Sequence, residues 1–141
     1  MNVHFLPYVP TRNDIITYSA STKLTETTSW FSGLKTDAFN TTIKSHTFEN
    51  GVGTIEFNAD VTTIGDSAFY GCTGMTAIEL PNSVTSIIGE FAFGNCGSLT
   101  MNVPTSLVNV GDCTFPGTTL NSEAETALKA INPSIKGNCP P

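Results

Sequence analysis

The sequence predicts a mainly β repeat protein: a short solenoid of stacked coils, with a β-hairpin module before it and a capping helix after it. Three observations carry this. A 23-residue spacing recurs through the middle of the chain. Short apolar–polar alternations fall at the same place in each copy, as half-buried strands require. Charged residues are only 13% of the 141, about half the usual share, and Thr, Ser, Asn and Gly take their place, which suits strands and turns better than long helices.

The repeat is read directly. Residues 61–83 are VTTIGDSAFYGCTGMTAIELPNS and residues 84–106 are VTSIIGEFAFGNCGSLTMNVPTS; residues 107–117, LVNVGDCTFPG, begin a third copy and then break off. Val61, Val84 and Leu107 are 23 apart, as are Ile55, Ile78 and Met101. The Ala-Phe and Cys positions step by 24 instead, from Ala68-Phe69 to Ala92-Phe93 and from Cys72 to Cys96. An inserted Ile88 and a deletion before Met101 account for the difference. Within a copy, Ile78-Glu79-Leu80 alternates in–out–in, Pro81 ends the strand because it carries no amide proton, and Gly89 allows the corner. One coil cannot bury its own apolar edge, so coils must stack and both ends must be capped.

Upstream, Ile43 to Phe48 and Thr54 to Phe57 flank Asn50-Gly51, a strong hairpin signal. The second of these strands is expected to serve also as the first rung of the solenoid. Ile15 to Tyr18 reads as a further strand, with Trp30, Phe31, Leu34 and Phe39 packing beneath it; for Trp30 a core role outweighs a carbohydrate platform. Downstream, Asn121 or Ser122 caps the helix SEAETALKAI, with Glu123 and Glu125 in its first turn and Lys129 in its last. Leu120, Ala124, Ala127, Leu128 and Ile131 form its apolar face, and Pro133 stops it. The expected segments are a β module and cap over 1–53, the repeats over 54–118, and a capping helix and tail over 119–141.

These residues resemble the BspA-type leucine-rich repeats of bacterial surface proteins. VTTIGDSAFYGCTGMTAIELPNS follows that family's repeat almost position by position, and SHTFENGVGTIEFNADVTTIGDSAF is similar to the small β module that often precedes the first repeat; together they cover roughly residues 13–117. The resemblance implies a curved leucine-rich-repeat solenoid with one strand per repeat, on exported or cell-surface proteins of host-associated anaerobes, with adhesion as the usual activity. Yet Met1 to Pro10 has neither a basic start nor an apolar run, so no signal peptide is expected there.

Composition excludes several classes. A net charge of −6 argues against nucleic acid, which needs a basic footprint. No Lys or Arg occurs between Lys44 and Lys129, while Glu56, Asp60, Asp66, Glu79, Glu90 and Asp112 all do. No apolar stretch approaches the ~20 residues of a membrane span. The four cysteines show no metal-type spacing; Cys72 and Cys96 read as buried free thiols, and whether Cys113 and Cys139 close a loop around the terminal helix stays open. His4 and His46 lie outside the repeats and in no recognisable catalytic constellation. Asn40-Thr41-Thr42 is a glycosylation triplet that proves nothing alone.

What remains is the outward row of the ladder. Glu56, Glu79 and Asn102 fall at equivalent positions on three successive rungs, and Glu56 and Glu79 are expected as neighbours, about 4.8 Å apart. That separation suits a glycosidase pair, but a flat open ladder offers no pocket. The chain is therefore expected not to be an enzyme and to use no cofactor or metal. It reads as a surface module for protein–protein or protein–glycan adhesion through the strand face, its candidate site Glu56, Glu79 and Asn102. The alternative is a structural or assembly part, a phage- or fibre-type accessory acting through oligomerisation.

Overall fold

The structure is a computed structural model and describes residues 12–29 and 32–139. Trp30, Phe31 and the amino-terminal residues, His4 among them, lie outside the described residues. Eleven strands and one helix follow in chain order among those described: β1 (Ile15–Ala20), β2 (Glu26–Thr27), β3 (Leu34–Lys35), β4 (Ile43–Glu49), β5 (Val52–Phe57), β6 (Thr63–Ile64), β7 (Met75–Glu79), β8 (Ser86–Ile87), β9 (Gly97–Met101), β10 (Asn109–Val110), β11 (Thr118–Leu120) and α1 (Ser122–Ile131). They form an open six-stranded sheet of order β11-β9-β7-β1-β5-β4, a three-stranded sheet β10-β8-β6, and the small pair β2-β3. No helix among the described residues is long and apolar enough to cross a membrane.

Each repeat gives one strand to the larger sheet and one to the smaller, both parallel to the next repeat's. The core lies between them. Its axis is a column of rings, one per repeat: Phe69 on Phe93 at 5.1 Å and Phe93 on Phe115 at 5.1 Å, tilted by only 12° and 6°. That spacing is close to the distance between paired strands, because the rings are carried up by the same stacking. All three are fully buried.

The corner between the two sheets repeats in backbone conformation as well. Ser67, Phe91 and Cys113 begin it with positive φ of 56°, 62° and 57°, and Gly71, Asn95 and Gly117 end it at 73°, 52° and 70°. The inserted Ile88 stands out into solvent, 57% exposed, so the insertion is absorbed at the surface. Gly89 follows it because a Cβ there would lie 2.0 Å from the Gly65–Asp66 backbone of the repeat before.

The third copy does not stop at residue 117. Thr118–Leu120 pairs in parallel with Gly97–Leu99 as a further strand, β11. The two-residue alternation persists, but the step to this strand is 21 residues (Leu99 to Leu120) rather than 23, so the period loses it. Thr118 also occupies the cysteine position: Cys96 Sγ donates to the Phe69 carbonyl at 3.1 Å, and Thr118 Oγ1 donates to the Phe93 carbonyl one repeat on. A small buried donor, thiol or hydroxyl, is what the corner needs there.

Both ends are covered, though one differs from the expectation. Thr54–Phe57 is not the neighbour of the first repeat strand; β1 lies between β5 and β7 and pairs antiparallel with each. The same amino-terminal module closes the rest of the first repeat. Gly33 N–H donates to the Tyr70 carbonyl at 3.0 Å and Lys35 N–H to Ala68 at 2.9 Å, while Phe39 bridges Ile64 antiparallel. At the far end, α1 buries Ala124 and Leu128, and the tail imitates a further corner: Cys113 N–H donates to the Ser134 carbonyl and Phe115 N–H to that of Ile135. Ile135 is fully buried, and Cys113 is disulfide-bonded to Cys139. Asn121 holds the cap position of α1 but makes no side-chain cap bond; its Oδ1 instead accepts the Met101 N–H at 3.0 Å. The helix ends at Ile131 with Asn132 as its cap residue, since a residue before proline avoids helical backbone.

Candidate functional site

Alternation gives the six-stranded sheet two chemically different faces. Ile16, Tyr18, Ile55, Phe57, Ile78, Leu99 and Met101 turn inward and are buried. The register aligns the outward residues into rows across the strands. One row runs Thr47–Thr54–Thr17–Glu79, and the next Glu49–Val52–Ser19–Ala77–Thr100. The outer face is thus a field of small hydroxyl and methyl groups, with few charges.

The three residues expected to form the site meet different fates. Glu56 lies opposite Ile15 and Glu79 opposite Thr17, on strands separated by β1. They are two strand spacings apart and offset by two residues along the strands, roughly 12 Å, not adjacent, so the paired-carboxylate geometry does not arise. Repeat arithmetic counted β5 as the rung before β7; the antiparallel insertion of β1 has no repeat signature. Glu56 is already neutralised, with Arg12 Nη2 at 2.6 Å and Lys44 Nζ at 3.7 Å. The Arg12 hydrogen bonds hold the Glu56 and Asp14 carboxyls below the usual range and push the guanidinium pKa up.

Asn102 is occupied with the backbone. Its Oδ1 accepts the Leu80 N–H at 3.0 Å and its Nδ2 donates to the Leu80 carbonyl at 3.2 Å, which extends the ladder one residue past β9, as Asn121 does for Met101. Asn102→Ala strands two backbone groups of buried Leu80 and is expected to cost about 1–3 kcal/mol. Glu79→Gln is expected to change stability by less than about 0.5 kcal/mol. Urea midpoints of the two variants separate these roles.

Glu79 alone of the three is free to act. It is exposed, and no cation pairs with it among the described residues. It edges a shallow hollow of about 270 Å³, lined by Thr17, Tyr18, Ser19, Val52, Ala77 and Ile78. The small side chains of β1 and Ala77 leave this space. Thr17 and Ser19 were not legible as face residues, because nothing in the sequence says which strands flank β1.

Behind the same strands, His46 joins a chain the sequence did not disclose. Tyr18 Oη lies 2.7 Å from His46 Nε2, and His46 Nδ1 lies 2.7 Å from Glu26 Oε2. The Leu24 N–H donates to Tyr18 Oη at 3.0 Å. Every polar atom is satisfied when the Tyr18 hydroxyl donates to Nε2 and the Nδ1 proton goes to Glu26. Gly53 makes the room, since a Cβ there would lie 2.0 Å from the Tyr18 ring. The His46 side chain is 1% exposed, so this chain fastens the loop before β2 to the hairpin.

Other candidates are committed to structure. Asn40 of the glycosylation triplet accepts the Thr62 and Thr63 N–H groups and donates to the Asp60 carbonyl. Among the described residues no group of three or more His, Cys, Asp or Glu could hold a metal ion. Cys72 and Cys96 are free and buried. Burial raises the Cys72 thiol strongly and pushes Cys96 up to about 11; it raises the Tyr18 phenol as well. All three bind their protons more tightly folded than unfolded. Their contribution to stability is therefore fully present below the unfolded thiol value of about 8.5 and drains away as pH rises toward the folded values. Urea midpoints measured from pH 7 to 11 are expected to fall on the alkaline side, and a Cys72→Ala/Cys96→Ala double variant to fall less steeply.

Against this geometry stands one comparison that matches and two that do not. The family model described as BspA type leucine-rich repeat region (6 copies) matches residues 41–139. No curated protein and no solved structure matches the chain.

Proposed function

The chain belongs to the BspA-type leucine-rich-repeat family, and from that premise we propose that it is a non-catalytic adhesion module, a short capped solenoid that docks a protein of another surface on the outer face of its six-stranded sheet. Family membership makes protein binding the general expectation, and the outer face is the observation that carries this reading. The face is continuous from the amino-terminal hairpin to the last repeat, its outward residues line up in rows from Thr47 to Glu79 and from Glu49 to Thr100, and its small side chains leave it open to a partner. The Cys113–Cys139 disulfide fits an oxidising compartment such as a cell exterior.

The assembly reading, an accessory acting through oligomerisation, draws less support, because β1 and the 33–39 segment cover one end of the repeats and α1 with the tail covers the other. A molar mass steady at 14.9 kDa over a wide concentration range agrees with adhesion; a defined dimer or trimer favours assembly.

The test is binding of labelled protein to intact epithelial and bacterial cells. Thr17→Arg/Thr100→Arg, on the outer face, is expected to weaken binding at least tenfold, while Thr63→Arg/Ser86→Arg, on the smaller sheet, leaves it unchanged. Protease treatment of the cells is expected to abolish binding; periodate sensitivity instead points to a glycan. Equal losses in the two double variants overturn the face as the site.

A further inference from the structure

We propose that the hollow on the outer face receives one arginine side chain of a protein partner, with Glu79 as its carboxylate; this rests on the outer face being the docking surface. Size decides the class of occupant. At about 270 Å³ the hollow is smaller than the 300–1,000 Å³ typical of small-molecule sites, yet it suits a single long side chain. The lining decides its chemistry. Val52, 47% exposed, Ala77 and the Thr17 methyl offer apolar contact to an aliphatic stem, and Thr17 and Ser19 bring hydroxyl groups. Glu79 stands at the rim, in the row beside Thr17.

Charge argues in the same direction. Glu56, on the far side of β1, is satisfied by Arg12 and Lys44, and so attracts a further cation weakly. Among the described residues Glu79 has no such partner, and no Lys or Arg occurs between residues 44 and 129 to supply one from the repeats. A carboxylate with both oxygens open accepts the two parallel N–H groups of a guanidinium in a way an ammonium cannot reproduce. Arginine is also enriched at the centres of protein interfaces, where lysine is depleted. The pattern is an anchor site: a shallow apolar seat, hydroxyls around it, and one unmatched negative charge at its edge.

The experiment titrates ¹⁵N-labelled full chain with the capped peptide acetyl-Thr-Arg-Thr-amide, with its lysine counterpart, and with the neutral counterpart in which citrulline replaces arginine. The arginine peptide is expected to give saturable shifts at the amides of Thr17, Val52, Ala77 and Glu79. Citrulline, and separately Glu79→Gln, are expected to weaken it roughly tenfold, the loss of one charge-assisted contact. Ala77→Phe fills the hollow without touching charge and is expected to abolish the shifts. Lysine binding as tightly as arginine overturns the guanidinium assignment, and shifts centred on Asp66 or Glu90, or equal for citrulline, overturn the site. If Thr17→Arg/Thr100→Arg blocks cell binding while no peptide titrates, the docking face stands and the arginine anchor falls. If neither responds, both fall.

Discussion

Replacing Phe93 by alanine is expected to cost about 3–5 kcal/mol, enough to bring a domain of ordinary stability, about 5–15 kcal/mol, close to unfolding. Phe93 is the middle ring of the Phe69–Phe93–Phe115 column and is in face contact with both neighbours. Removing it takes away its own buried surface and one partner from each of the other two rings. The surroundings relax poorly, because the ring height is set by the pairing of strands on either side. Phe115→Ala is expected to cost less, since only one ring flanks it and Ile135, from a tail segment rather than a full repeat, can settle. Urea unfolding followed by circular dichroism gives both values; equal costs would show that the column does not act as a stack.

Cutting the disulfide is the second large effect. Cys139→Ser opens a loop of sequence separation 26, for which chain entropy assigns about 3.5 kcal/mol, or a fall in melting temperature of roughly 10 °C. The loss should begin at the carboxy-terminal end. Hydrogen exchange at the Cys113 and Phe115 amides, which donate to Ser134 and Ile135, is expected to rise before that of the β7 and β9 amides. Unchanged exchange at these two amides would mean that Ile135 packing and the Asn132 hydrogen bonds to Val110 and Asp112 hold the tail unaided. The free pair, Cys72 and Cys96, offers no substitute link, since both thiols are buried within the first two repeats.

How far the residues alone could be read follows from where the chain repeats. Within residues 61–106 each copy checks the other, so strand, corner, buried ring and buried thiol positions were all legible. The hairpin was legible too, because Asn50-Gly51 takes the two positive φ angles, 53° and 80°, that few other pairs adopt without strain. At the edges of the repeat no second copy is present to compare. β11 was missed for this reason, and the Thr118 hydroxyl that replaces the cysteine with it. The Tyr18–His46–Glu26 chain joins residues from three segments, and its only advance signal, Gly53 two residues before Ile55 in β5, has meaning once Tyr18 is known to lie across it.

The sequence by itself determined the repeat, its family, the inward Ala-Phe and Cys positions, the hairpin turn and the terminal helix, because these depend on periodicity and on turn and helix chemistry local to a few residues. The tertiary structure decided the order of strands, and with it which outward residues lie side by side. β1 enters between β5 and β7 through backbone hydrogen bonds, which any residues with the right alternation can make, so no side chain announces the choice. That one insertion separates Glu56 from Glu79, leaves the first paired and the second open, and lays Thr17 and Ser19 between them as the floor of the hollow. Asn102, outward by its position in the repeat, was claimed by the Leu80 backbone because an amide at a strand end can extend a ladder that a carboxylate cannot.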